Sequence, residues 1–239
     1  MRGAINIVST VCPDYPNDGE KFTFSGDLGD DISLTAKIHL DFVPELISEL
    51  KEKGNDVVWY IIIADLPELI DDQKEYYERV AGSKKEYLRR CSISAKKIVK
   101  RVNGSANVLT FSDFYGNMKI DYMAIQKKVA DLILEESKTG RFRTKFNSFM
   151  IQRKELAEKF RGRRISQEEL KKASAHGMSL YATHGTLLRV IFKEKNLVII
   201  NHATPSICNF FSCNFVKDYV ATAAKSQKFP VGIIDADLY

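Results

Sequence analysis

The chain is short of almost everything that would assign it quickly. No stretch of the 239 residues comes near the roughly 18 apolar residues of a membrane span. The opening Met1-Arg-Gly-Ala-Ile-Asn-Ile-Val8 runs straight into a β-branched segment without the apolar core of a signal peptide, so a cytoplasmic protein with no membrane partner is expected. Four cysteines, Cys12, Cys91, Cys208 and Cys213, form no C-x-x-C pair and no zinc-type spacing. Free thiols in a reducing compartment follow, and no metal. Neither phosphate-cradling loop is present: there is no G-x-x-x-x-G-K-[ST], and no G-x-G-x-x-G follows the first strand. Gly26-Asp-Leu-Gly29 reads as a turn. Kinase-type and dehydrogenase-type readings lose their support, and no cofactor is implied. Charge is nearly balanced, 36 Lys and Arg against 31 Asp and Glu, so a polyanionic partner is permitted without being demanded.

What is present is an alternation. Residues 4–11 form a β-branched run ending at the turn cluster Cys12-Pro-Asp-Tyr-Pro16. Apolar positions recur at helical spacing over 32–53, where Pro44 suggests a second helical segment and Gly54 a stop. The continuously apolar run 57–64 reads as a central parallel strand buried on both faces. A helical region follows over 69–102, broken near Gly82-Ser83, then a strand over 107–111, helices with breaks at Gly140 and Gly162 over 121–192, a strand over 197–200 and a fifth over 231–234. This pattern predicts one α/β domain over 1–239: a Rossmann-like, doubly wound, mostly parallel sheet of about five strands, with a helical insertion over 121–192 between the third and fourth.

In such sheets ligands bind beyond the carboxyl ends of the strands. The first strand brings Ser9, Cys12 and Asp14 there, the second Asp65, the third Ser112 and Asp113, the fourth Asn201 and His202. Each of these residues also has a plainer reading, as a loop residue or a helix cap. Cys12 is a candidate nucleophile or, with Pro13 beside it, part of a fixed turn. His184 is an acid-base candidate or a buried, hydrogen-bonded histidine.

The more specific signal is the helix over 84–102. Leu88, Cys91, Ala95, Ile98, Val99 and Val102 form its expected buried stripe. Lys85, Arg89, Lys96 and Lys100 gather within roughly 60° on the opposite side, with Arg90, Lys97 and Arg101 beside them. Glu86 is the only acidic residue between Lys84 and Arg101, so a phosphate backbone would relieve the repulsion; the alternative is a solvated face. Further basic groups occur at Arg141, Arg143 and Lys145, and at Lys159, Arg161, Arg163 and Arg164.

This order resembles the tRNA-dependent cyclodipeptide synthases, whose fold is similar to the catalytic domain of class I aminoacyl-tRNA synthetases. Ile7-Val-Ser-Thr10 occupies the position of the nucleophilic serine, the helix with Lys85 to Arg101 that of the tRNA-holding helix, and the segment with Tyr181 precedes the strand 197–200 as in the family. The family's G-x-S-x-x-N-S pattern is absent, and Gly185 stands where its glutamate would fall. The resemblance implies a tRNA-dependent aminoacyl transferase using an already activated ester, with neither ATP nor metal. Ser9 would be the nucleophile, Tyr181 would orient the amine, and His184 or His202 would move the proton. Cys12, Asp14, Asp65, Asp113 and Asn201 would line the substrate site. Two other readings stay open: a nucleotide- or sugar-directed transferase or hydrolase, and a non-enzymatic RNA-binding module.

Overall fold

The computed structural model describes residues 4–11, 32, 34–65, 82–192 and 196–200. Four strands, β1 (Ile5–Val11), β2 (Val57–Ile63), β3 (Asn107–Thr110) and β4 (Leu197–Ile200), form one sheet in the order β3-β2-β1-β4. Every pairing is parallel, with Ile7 opposite Trp59 and Val198, and Ile61 opposite Val108. The strands read from sequence are these four; the fifth, over 231–234, lies outside the described residues. Phe111, expected to close the third strand, instead opens a helix, because Thr110 caps it there.

Six helices accompany the strands among the described residues: α1 (Leu34–Glu52), α2 (Lys84–Val102), α3 (Phe111–Asn117), α4 (Tyr122–Glu136), α5 (Gly140–Arg161) and α6 (Gln167–Ile191). No helix among these residues is long and apolar enough to cross a membrane. The chain divides into two compact units. The first comprises 1–66, 80–118 and 195–202, the second 67–79, 119–194 and 203–239.

In the first unit α1 and α2 share one face of the sheet. Alternation along the strands sends Ile7 and Val11 of β1, and Trp59, Ile61 and Ile63 of β2, into one cluster with Val43 of α1 and Ile98 of α2. Burial of these side chains is the main favourable contribution to the unit's stability. On the opposite face Val8 and Ile62 are fully buried, and Tyr60 meets the ring of Phe114 on α3 edge-on at 6.5 Å.

Two local expectations change. Pro44 starts no new segment: α1 runs through it unbroken. Pro44 is exposed, and the apolar stripe Ala36, Val43, Ile47 and Leu50 continues past it, so packing offsets the one lost backbone hydrogen bond. The stripe on α2 is also rotated from the expected one, by about 50°. Tyr87, Cys91, Ser94, Ile98 and Val102 are buried, whereas Leu88 and Val99 are 38% and 50% exposed. Seating the Tyr87 ring removes more apolar surface from water than seating Leu88 would. Cys91 is a buried thiol that takes part in no disulfide.

In the second unit α6 packs on α4 and α5. It is buried on nearly every side, including Ala175, Met178, Ala182, Leu187 and Leu188, which is the mark of an interior helix. Its start is fixed by a capping box, in which Ser166 accepts from the Glu169 N–H and the Glu169 carboxylate accepts from the Ser166 N–H. Gly162 closes α5 at φ 66°, a left-handed conformation that costs a glycine nothing. The breaks read from Gly140 and Gly162 are where the structure has them.

Candidate functional site

Two places in the first unit collect the candidate residues, the carboxyl edge of the sheet and the outer side of α2. At the edge, Ser9 sits two residues before the end of β1. Its parity places it on the face that carries α1 and α2, and it is fully buried. The Trp59 indole donates to the Ser9 hydroxyl at 3.0 Å. Ser9 is therefore a polar group embedded in the apolar cluster and satisfied there. Trp59, the only tryptophan of the chain, was not singled out from sequence. It stands in a run that is apolar throughout, and such a run gives no sign of which residues share a face.

The next two strands place Asp65 and Asp113 together. Asp65 follows β2 directly, is 7% exposed, and accepts the Ser112 N–H at 3.0 Å. Thr110 accepts the Asp113 N–H at 3.0 Å, and its hydroxyl donates to the Asp113 carboxylate at 2.8 Å. All three residues thus satisfy or brace the first turn of α3, whose backbone N–H groups have no helical partner. Asp65 serves α3 as a capping acceptor, while Asp113 holds the hydroxyl of the N-cap residue Thr110. Cys12, Asp14, Asn201 and His202 lie outside the described residues.

Tyr181 and His184 belong to α6 in the second unit. Tyr181 is half-buried. His184 is buried, and burial alone pushes its imidazole down to about 3, so it is neutral throughout the physiological range. Two further polar residues, missed from sequence, tie the same helix to α4. The buried Tyr122 hydroxyl donates to the Leu180 carbonyl at 2.9 Å, and the Gln126 amide donates to the Ser179 hydroxyl. Desolvation raises the Tyr122 phenol well above its ordinary value, which keeps it a donor. Nothing in the sequence pattern marks these pairs, since they join positions more than 50 residues apart.

On α2 the basic residues divide by their distance from the solvent pole. Lys85, Arg89, Lys96 and Lys100 are exposed at the pole; Arg90 and Lys97 are half-buried, and Arg101 is exposed beside α1. The single acid of the helix is fully engaged. Glu86 accepts from Arg89 through two nitrogens, at 2.6 and 2.7 Å, and from Arg90 at 3.0 Å. These two guanidinium groups hold its carboxyl down at about 2. Lys85, Lys96 and Lys100 form no ion pair among the described residues. Of the other basic groups, Arg163 is bound to Glu169 at 2.8 Å, while Arg143, Lys145 and Arg164 are exposed.

A cavity of about 320 Å³ opens in the furrow between α1 and α2. Lys37, Asp41 and Pro44 form one wall, Arg101 and Val102 the other, and Trp59 is at its floor. Among the described residues no group of three or more His, Cys, Asp or Glu is arranged to hold a metal ion. No protein-family model, curated protein or solved structure matches this chain.

Proposed function

We propose that this chain is an RNA-binding protein of Rossmann-like architecture that holds tRNA-like ligands on α2, and that an aminoacyl-transfer activity is built on that binding. The observation that carries the RNA-binding half is the ridge of Lys85, Arg89, Lys96 and Lys100 at the outer pole of α2. Only one carboxylate lies within reach on that helix, and it is occupied by two arginines. A phosphate backbone supplies the compensating charge that the helix lacks, with release of counterions as the driving force.

The transfer half rests on the resemblance in sequence order, with Ser9 as nucleophile, Tyr181 orienting the amine and His184 or His202 handling the proton. Ser9 lies beneath the protein surface, and His184 is a neutral, desolvated base. Their use on an ester requires the substrate to reach groups that are buried without it. Geometry therefore supports RNA binding more directly than it supports acyl transfer.

A second reading, a nucleotide- or sugar-directed transferase or hydrolase, is favoured by the strand order. The chain lays down β1, β2 and β3 in one direction, then returns to the far side of β1 for β4. A reversal of this kind opens a crevice beyond the strand ends where open α/β sheets bind ligands.

Binding of total tRNA across a salt series tests the first reading. Changing Lys85, Arg89, Lys96 and Lys100 together to Glu should weaken binding steeply and flatten the dependence of log affinity on log salt by about 3, at ~0.7–0.9 for each phosphate no longer neutralised. Weak binding that the four changes leave unaltered would move the conclusion to the second reading, for which stabilisation by a mononucleotide in a thermal-shift screen is the corresponding sign.

A further inference from the structure

The furrow between α1 and α2 holds a cavity that none of the strand-end candidates lines. Trp59 is the third residue of β2 and Ser105 stands just before β3, so the cavity is lined from near the amino ends of these strands. Asp65 and Asp113 follow their carboxyl ends. At about 320 Å³ the cavity is at the small end of the range for ligand sites, about 300–1,000 Å³, which suits one small molecule.

Its walls differ in chemistry. Lys37, Leu40, Asp41 and Pro44 recur at i, i+3, i+4 and i+7, so a single stripe of α1 borders the furrow. Pro44 has no N–H, and the Leu40 carbonyl one turn before it therefore lacks its helical donor. Two acceptors, that carbonyl and the Asp41 carboxylate, thus come from consecutive residues of one wall. Lys37 and Asp41 stand one turn apart, yet neither forms an ion pair among the described residues. Arg101 lines the opposite wall. At the floor the Trp59 indole has committed its one polar atom to the Ser9 hydroxyl, at 3.0 Å, so its rings are what it offers a ligand.

We infer that this cavity binds a free α-amino acid with an apolar side chain. The α-ammonium has three N–H donors and meets the Asp41 carboxylate and the Leu40 carbonyl. The α-carboxylate takes charge-assisted hydrogen bonds from Lys37 and Arg101, one on each wall. The apolar side chain rests on the Trp59 rings. A simple anion would be set against Asp41, and a simple amine against two cations. A zwitterion uses all three charges. None of the candidate catalytic residues lines the cavity, so the amino acid is a bound effector there and not a reactant. The site depends on neither the RNA reading nor the acyl-transfer reading.

Trp59 is the only tryptophan of the chain, so its fluorescence reports on the cavity directly. Titration of the full chain with L-phenylalanine and with L-leucine should shift its emission saturably, and the melting temperature should rise with ligand concentration. Phenylpropionate, which lacks the ammonium, and phenethylamine, which lacks the carboxylate, should each bind about tenfold more weakly than L-phenylalanine, or worse. Asp41→Asn and Arg101→Gln should each raise the dissociation constant for L-phenylalanine by about tenfold. Both positions are exposed, and unchanged circular dichroism checks that the fold is kept. Pro44→Ala returns a helical donor to the Leu40 carbonyl, so it should weaken binding without loss of stability. Absence of a saturable response to either amino acid, in fluorescence and melting alike, would overturn the proposal. So would phenylpropionate binding as tightly as L-phenylalanine, which would make the cavity an anion site. Binding indifferent to Asp41→Asn or to Pro44→Ala would overturn it too, because the paired acceptors would then have no part in it.

Discussion

Trp59 and Ser9, on adjacent parallel strands, share a buried hydrogen bond of 3.0 Å in which the indole is the donor. Each is the other's solution to a problem of burial, since an indole N–H or a hydroxyl left alone in this cluster would go unsatisfied. Ser9→Ala should therefore destabilise the protein by about 1–3 kcal/mol in urea unfolding, and Trp59→Phe by a similar amount. Because both remove one and the same bond, the double variant should cost clearly less than the two costs combined. Full additivity would show that the bond contributes nothing. The pair also makes Ser9→Ala an ambiguous test of catalysis unless stability is measured beside activity.

Asp65 and Asp113 look equivalent in sequence and should not behave so. Removing the buried Asp65 carboxylate strips the Ser112 N–H of its partner, and Asp65→Ala should cost about 0.5–2 kcal/mol. Asp113 is exposed, and its N–H keeps Thr110 after substitution, so Asp113→Ala should cost about 0.5 kcal/mol or less. Thermal unfolding of the two variants decides it. A large loss of activity in Asp113→Ala without loss of stability would give that residue a chemical role beyond bracing α3.

His184 makes stability depend on acid. Its folded value, about 3, lies below the ordinary value of 6.5, so the unfolded chain takes up the proton first. The contribution is complete above pH 6.5 and is lost as pH falls toward 3, with a slope of up to about 1.4 kcal/mol per pH unit. His184→Gln should flatten the unfolding free energy between those limits. The imidazole proton resonances should show no titration between about pH 8 and 5, and a midpoint near 6.5 would contradict the burial.

Glu86 restrains the ridge on which RNA binding is proposed. With its carboxyl held at about 2 by Arg89 and Arg90, it stays ionised at any physiological pH. Glu86→Ala removes the one negative charge on that ridge and should tighten tRNA binding at low salt, an advantage that added salt erodes. Unchanged affinity at low salt would show that RNA does not bind beside Glu86.

Local physics was legible and relational physics was not. The four strands, the start of α2 just after Gly82-Ser83, the breaks at Gly140 and Gly162, and the basic ridge follow from short-range rules: β-branched runs, left-handed glycines and the period of about 3.6 residues; the part of the expected helical region over 69–81 lies outside the described residues. The orientation of α2 did not follow, because Tyr87 and Leu88 compete for the same interior and only the surroundings choose between them. Trp59 with Ser9, and Tyr122 with Leu180, were out of reach for the same reason. Each joins two separate elements, and an apolar run or an amphipathic helix is silent about its partner.

The position of β4 has a consequence in time. Asn6 of β1 donates its side-chain amide to the carbonyl of Asn196, 190 residues later in the chain, and β4 closes that side of β1 only once it has been made. At ribosomal speeds of ~5–20 residues per second, the β1 edge stands open for roughly 10–40 s after it first emerges. An exposed strand edge is a template for wrong pairings. A nascent-chain release series that stops just before Leu197 should therefore aggregate where one carried past Ile200 does not.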